Sequence, residues 1–113
     1  MKYTPEQIRQ LYAVHRIDKF YNSKYWRHLS HQIIKEFDHD CQLCKQMGKA
    51  STAVLVHHVL ELRAHPELAY SRTFKDAEGV HIQLLPLCHD CHERIHNRGK
   101  YADSGKFVNE EWW

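Results

Sequence analysis

Two CxxC pairs far apart in the chain, a helix-patterned first third and two short β-rich runs predict a small α+β domain. N-terminal helices should lead into a ββα unit with a four-cysteine metal site at its back. At 113 residues the chain suits one domain, and a core that small gains from a metal staple. We divide it into a helical segment over 1–37, a ββα core over 38–99 and a tail over 100–113. Mean hydropathy is -0.69, and no apolar run approaches the roughly 20 residues that span a bilayer. The opening MKYTPEQIRQ lacks the apolar centre of a secretory signal. A cytoplasmic chain with no membrane partner is expected, and reduced thiols in CxxC pairs there favour metal over disulfides.

Each element has its own signals. Thr4 as N-cap, Pro5 at the first helical position and Gln7 in a capping box start a helix that Ile8, Leu11 and Tyr12 carry to about Phe20. Tyr21-Asn22-Ser23 breaks the pattern, and Ser23 caps a second helix to about Glu36 with a stripe of Trp26, Leu29, Ile33 and Phe37. That stripe reads as a core-facing seam rather than a cofactor box. The first knuckle, Cys41 to Cys44, is followed by a turn in which Gly48 supplies a positive φ. Ala53 to Val56 is a short strand ending on His57-His58. From Val59 to Val80 the chain reads as a polar loop with one helical turn around Pro66 to Tyr70. His81 to Leu87 is a second strand, weakened near its end by Pro86. A helix from Cys88 carries Cys91, His92, Ile95 and His96 and stops at Gly99. Trp112 and Trp113 in the tail dock on the body or meet a partner; docking is the simpler reading.

Two matched CxxC turns can close a tetrahedron of sulfurs around one zinc ion. A redox role for either pair lacks the βαβ context it would need. Eleven histidines stand among the 113 residues, and histidine is both the commonest metal ligand and the side chain that titrates near neutral pH. His92 and His96, four apart on a helix, project from one face. With His57 at the end of the neighbouring strand, three imidazoles can converge on one divalent ion and leave positions open for water and phosphate oxygens. His58 points to the other side of the strand, where a neutral imidazole can take a proton from water. Alone, an HxxxH pair is often just solvated and a His doublet means little; here each adjoins a cysteine knuckle. Net charge is only +2 with a pI near 8.4, which permits phosphate contact without demanding it.

Taken together, Cys41-x-x-Cys44, Val56-His57-His58-Val59 and Leu84-x-x-Leu87-Cys88-x-x-Cys91-His92-x-x-x-His96 resemble the HNH endonucleases, the ββα-metal or His-Me finger nucleases. Phe20-Tyr21-x-Ser23-x-x-Trp26-Arg27-x-Leu29 and Leu62-x-x-x-Pro66-x-Leu68-Ala69 look like the small, often phage-encoded members found near DNA-packaging genes. The resemblance spans roughly residues 20 to 97 and implies metal-dependent hydrolysis of DNA phosphodiesters. It implies His58 as general base and His57, His92 and His96 as ligands of a catalytic ion such as Mg²⁺, Mn²⁺ or Ni²⁺. Cys41, Cys44, Cys88 and Cys91 match the structural zinc site of the cysteine-bearing subgroup. The family's middle Asn falls on Gln83, which keeps the amide and adds a methylene; His81 is a second candidate for part of its role. Arg94, Arg98 and Lys100, on or just after the metal helix, are candidates for neutralising phosphates, or else a solvated face.

By the same resemblance the partners are double-stranded DNA and phage terminase or portal proteins, in a bacterial host's cytoplasm. A zinc-stabilised binding module without catalysis is the alternative from another class; a restriction or defence nuclease shares the chemistry and differs in setting. His58 separates the first two, because a binding module has no use for a base beside three metal ligands.

Overall fold

The computed structural model describes residues 2–95. Helix α1 (Pro5–Ala13) opens on a complete capping box: the Gln7 amide donates to Thr4 Oγ1 at 3.1 Å and the Thr4 amide to Gln7 Oε1 at 2.9 Å. The sequence predicts one helix to Phe20, but the chain breaks after Ala13. His15 takes a left-handed conformation at φ 58°, and helix resumes as the single turn α2 (Asp18–Tyr21). The core explains the break. Ile8, Ile17 and Phe20 are all buried, and an unbroken helix would set Ile17 about 180° round the axis from Ile8. The left-handed residue re-aims the second segment so that both face inward.

Helix α3 (Lys24–Glu36) is capped by Ser23 and buries Trp26, Ser30, Ile33 and Ile34. Leu29 and Phe37, expected in the same stripe, pack half-buried against that core. Asp38 and His39 follow at φ 56° and 62°, both left-handed, and turn the chain into the first knuckle. There the Cys41 amide donates to the Ser51 carbonyl at 2.9 Å and the Ala53 amide to the His39 carbonyl at 2.8 Å. Helix α4 (Gln42–Gln46) fills the space between, and Gly48 closes the turn at φ 75°, the positive value its sequence context predicts.

Strand β1 (Leu55–His58) begins two residues later than the expected start at Ala53 and carries both histidines. The loop after it holds the expected helical turn, a 3₁₀ turn at Pro66–Leu68. It then forms a hairpin the sequence reading treats as loop: β2 (Thr73–Asp76) against β3 (Gly79–Ile82). Three of the four β2 residues and half of β3 are exposed, so no apolar alternation marks them. The expected strand from His81 to Leu87 is thus two strands, broken at Gln83. Its second part, β4 (Leu84–Leu87), pairs antiparallel with β1 in the register Val56↔Pro86 and His58↔Leu84. Pro86 stays inside β4, opposite Val56, because a two-stranded ribbon leaves each strand an open edge that needs no N–H. Residues 89–95 form helix α5.

The β1–β4 ribbon separates two clusters. Val56 and Leu84 join the helices in one core; Leu55, Leu85 and Leu87 pack with the cysteines in the other. No helix among the described residues is long and apolar enough to cross a membrane.

Candidate functional site

The knuckle at α4 supplies Cys41 and Cys44, and the junction of β4 with α5 supplies Cys88 and Cys91. Their four sulfurs lie within 4.8 Å of one another, with Cys44 Sγ 3.8 Å from Cys88 Sγ and 3.6 Å from Cys91 Sγ. These separations are far too long for a disulfide, whose S–S bond is about 2.05 Å. A tetrahedral zinc with Zn–S bonds of about 2.3 Å requires sulfur pairs about 3.8 Å apart. The donor set fits. Ser51 Oγ donates to Cys44 Sγ at 3.3 Å, the Cys91 amide to Cys88 Sγ at 3.5 Å and the Arg94 guanidinium to Cys91 Sγ at 3.8 Å. Burial works against ionising Cys88, yet hydrogen bonds from Ser51, the Cys91 amide and neighbouring thiols bring it down to about 6. Burial and the surrounding sulfurs push Cys91 up. Four acids this close ionise against one another, and a bound dication removes that penalty.

On the cysteine side of the ribbon, His57 of β1 meets His92 of α5. Both are nearly buried, at 7% and 6% exposure, and their rings face edge-on with centroids 6.0 Å apart. Two imidazoles so disposed can ligate one divalent ion. His96, the expected third ligand, lies outside the described residues, as do Arg98 and Lys100. Arg94 is exposed but turns one nitrogen toward Cys91.

His58 takes the opposite face, as strand alternation requires. The structure encloses it completely, at 0% exposure, instead of setting it at an open surface. Its ring stacks on Trp26 at 4.7 Å and 19°, with Phe20 and Tyr21 at 6.1 and 6.2 Å. Nε2 lies 3.1 Å from the Ala69 carbonyl. Because that oxygen only accepts, the ring donates from Nε2 and carries its basic lone pair on Nδ1. Burial lowers its pKa to about 4, against the opposing pull of the Ala69 carbonyl, so the ring is neutral at pH 7.

Gln83, fully buried in the break between β3 and β4, ties down the loop that follows His58. Its Oε1 accepts from the Leu60 amide at 2.9 Å and its Nε2 donates to the Leu60 carbonyl at 2.8 Å. The Val59 amide donates to the Gln83 carbonyl at 2.8 Å. The extra methylene relative to Asn spans this distance. His81 shares none of that work: on the β2–β3 hairpin it bonds Asp76 at 2.9 Å and stacks on Phe74. Sequence reasoning missed Trp26 and Ala69 as the immediate partners of His58, and Ser51 as a thiol partner. Trp26 and Ala69 both lie in segments that carry the resemblance noted in the sequence; Ser51 carries no sequence signal that we can identify.

The whole arrangement has a counterpart among solved structures. The crystal structure of the HNH endonuclease of the deep-sea thermophilic bacteriophage GVE2, containing a manganese ion, matches with a TM-score of 0.61 at 23% identity. The match covers 85% of this chain and 90% of that one. The chain has the fold of an HNH endonuclease. No family model and no curated protein matches the sequence. Within the HNH fold, the four sulfurs bring α4 and the β4–α5 junction together on the same side of the ribbon as His57 and His92.

Proposed function

We propose that this chain is a metal-dependent HNH endonuclease that hydrolyses phosphodiester bonds in double-stranded DNA. The observation that carries the reading is the convergence of His57 and His92 beside a four-thiol clamp on an HNH fold. Residues 1–37 would serve as a helical segment on a nuclease core over 38–99, with zinc at the four cysteines. His57 and His92, with His96, would hold a divalent ion such as Mg²⁺, Mn²⁺ or Ni²⁺; the manganese in the bacteriophage GVE2 enzyme supports that class of cofactor. When bound, the ion supplies charge stabilisation at the scissile phosphate and the leaving oxygen.

His58 would accept the proton of the attacking water at Nδ1 while its Nε2–H stays on the Ala69 carbonyl. Low pKa and burial keep the ring in the neutral form this needs. Because Trp26 and Tyr21 cover the ring, the reading requires those side chains to draw back when DNA engages. Gln83 would position the base through Leu60, and Arg94, Arg98 and Lys100 would meet phosphates. Phage genome processing, with a terminase or portal protein directing the cut, is the setting we favour; the phage origin of the structural neighbour bears on the phage setting alone.

The full enclosure of His58 favours a second reading, a zinc-stabilised nucleic-acid-binding module. Nicking of supercoiled plasmid with Mg²⁺, Mn²⁺ or Ni²⁺ decides between them. Cleavage by wild type and loss of it in His58→Ala is the expected result. Equal cleavage by both removes His58 as base, and no cleavage with any of the metals favours the binding module.

A further inference from the structure

We propose that helix α3 presents a groove for the DNA backbone, formed by Lys24, Arg27, His28 and His31; this inference rests on the nuclease reading and adds a substrate surface to it. The groove is an open cavity of about 480 Å³ lined by those four residues and Asn22, with no acid among them. All five are exposed. Positions 24, 27, 28 and 31 follow helical i, i+3, i+4, i+7 spacing, so the two cations and two imidazoles line one face of α3. None of the four has an ion-pair partner among the described residues. Helix α3 carries three cations against a single acid, Glu36. That acid is engaged with Arg72 at 3.0 Å. Lys24 and Arg27 therefore offer uncompensated charge, and the imidazoles and the Asn22 amide offer hydrogen-bond donors to phosphate oxygens.

The groove is also well placed. A second cavity of about 150 Å³ adjoins it, sharing Arg27 and His31 and lined also by Tyr21, Trp26, Val54 and the β1 residues Leu55 and Val56. It ends at the residue before His57. Tyr21 and Trp26, which form its wall, are two of the rings that enclose His58. A strand held by the α3 stripe lies directly over the cover of the proposed base. Duplex DNA, with a negative charge about every 1.7 Å of axis, matches such a track.

The test uses the full chain and a short fluorescein-labelled DNA duplex, with binding followed by anisotropy in EDTA-free buffer containing Ca²⁺. If Lys24 and Arg27 each neutralise one phosphate, the double variant Lys24→Ala/Arg27→Ala reduces the slope of log affinity against log salt by about 1.8. That corresponds to about sixtyfold weaker binding at about 0.1 M salt. The control Lys49→Ala/Lys75→Ala removes two cations outside the groove and should leave the slope within half of that change. An unchanged slope in the groove variant, or an equal drop in the control, overturns the proposal. Wild-type protein that binds duplex with the expected slope but cuts no plasmid removes the nuclease reading and leaves the groove standing. Cleavage by wild type together with intact binding by the groove variant does the reverse.

Discussion

Replacing Gln83 tests whether one buried amide holds the loop after His58. Gln83→Leu keeps the volume and removes both hydrogen bonds to Leu60, made at 2.9 and 2.8 Å. An unsatisfied buried polar group costs about 1–3 kcal/mol. Leu60 is half-buried, so water recovers part of that, and about 2–3 kcal/mol for the pair is the expectation. Guanidinium denaturation of zinc-loaded protein measures it as a lower midpoint at unchanged m. Gln83→Glu sharpens the test. It keeps the acceptor for the Leu60 amide but sets a carboxylate oxygen against the Leu60 carbonyl, where only the protonated acid can donate. The carboxyl pKa is raised in the folded state, the native protein binds the extra proton, and the variant regains stability as pH falls. Plasmid nicking by Gln83→Leu should drop while zinc content holds. A Gln83→Leu protein within about 0.5 kcal/mol of wild type, the range of an ordinary surface change, would refute the reasoning.

Two further outcomes are expected. Metal analysis should find about one zinc per chain, and Cys88→Ser should lose it along with the cooperative unfolding transition; a zinc-free wild type with unchanged stability contradicts the clamp. His58 should make the protein acid-sensitive. Its pKa is about 4 folded against 6.5 in the unfolded chain, so the unfolded state binds the extra proton between those values. The stability it contributes is complete above pH 6.5 and is lost as pH falls toward 4, by about 3 kcal/mol at 1.36 kcal/mol per unit. Comparing wild type with His58→Phe at each pH isolates the effect from acid release of zinc, and parallel curves for the two proteins would refute it.

Features encoded by fixed spacing were legible in the sequence. The capping box at Thr4 to Gln7, the Ser23 cap, the positive φ of Gly48 and the four-thiol cluster each follow from a few residues at set offsets. The break at His15 was not, because a weak polar segment gives no local sign that Ile17 must face the same core as Ile8. The β2–β3 hairpin escaped for a related reason. It is largely exposed, its Lys75 to Gly79 stretch has the composition of a loop, and its pairing is held by backbone hydrogen bonds rather than an apolar face.

His58 shows most clearly where a sequence reading stops. Period-two alternation correctly sends His57 and His58 to opposite faces of β1, but it does not say what covers each face. The cysteine clamp and α5 take the His57 side, so that imidazole meets another at 6.0 Å. The N-terminal helices take the other, so His58 meets Trp26 instead of solvent. Both contacts follow from one ribbon two strands wide, which must be covered on both faces to bury Leu84 and Leu87. The cover over His58 is built on the helices that carry the cationic groove, since Trp26 and Arg27 are adjacent in sequence and line the same cavity. On the proposed nuclease reading, a polyanion drawn to Arg27 would act on the very helix whose Trp26 encloses His58.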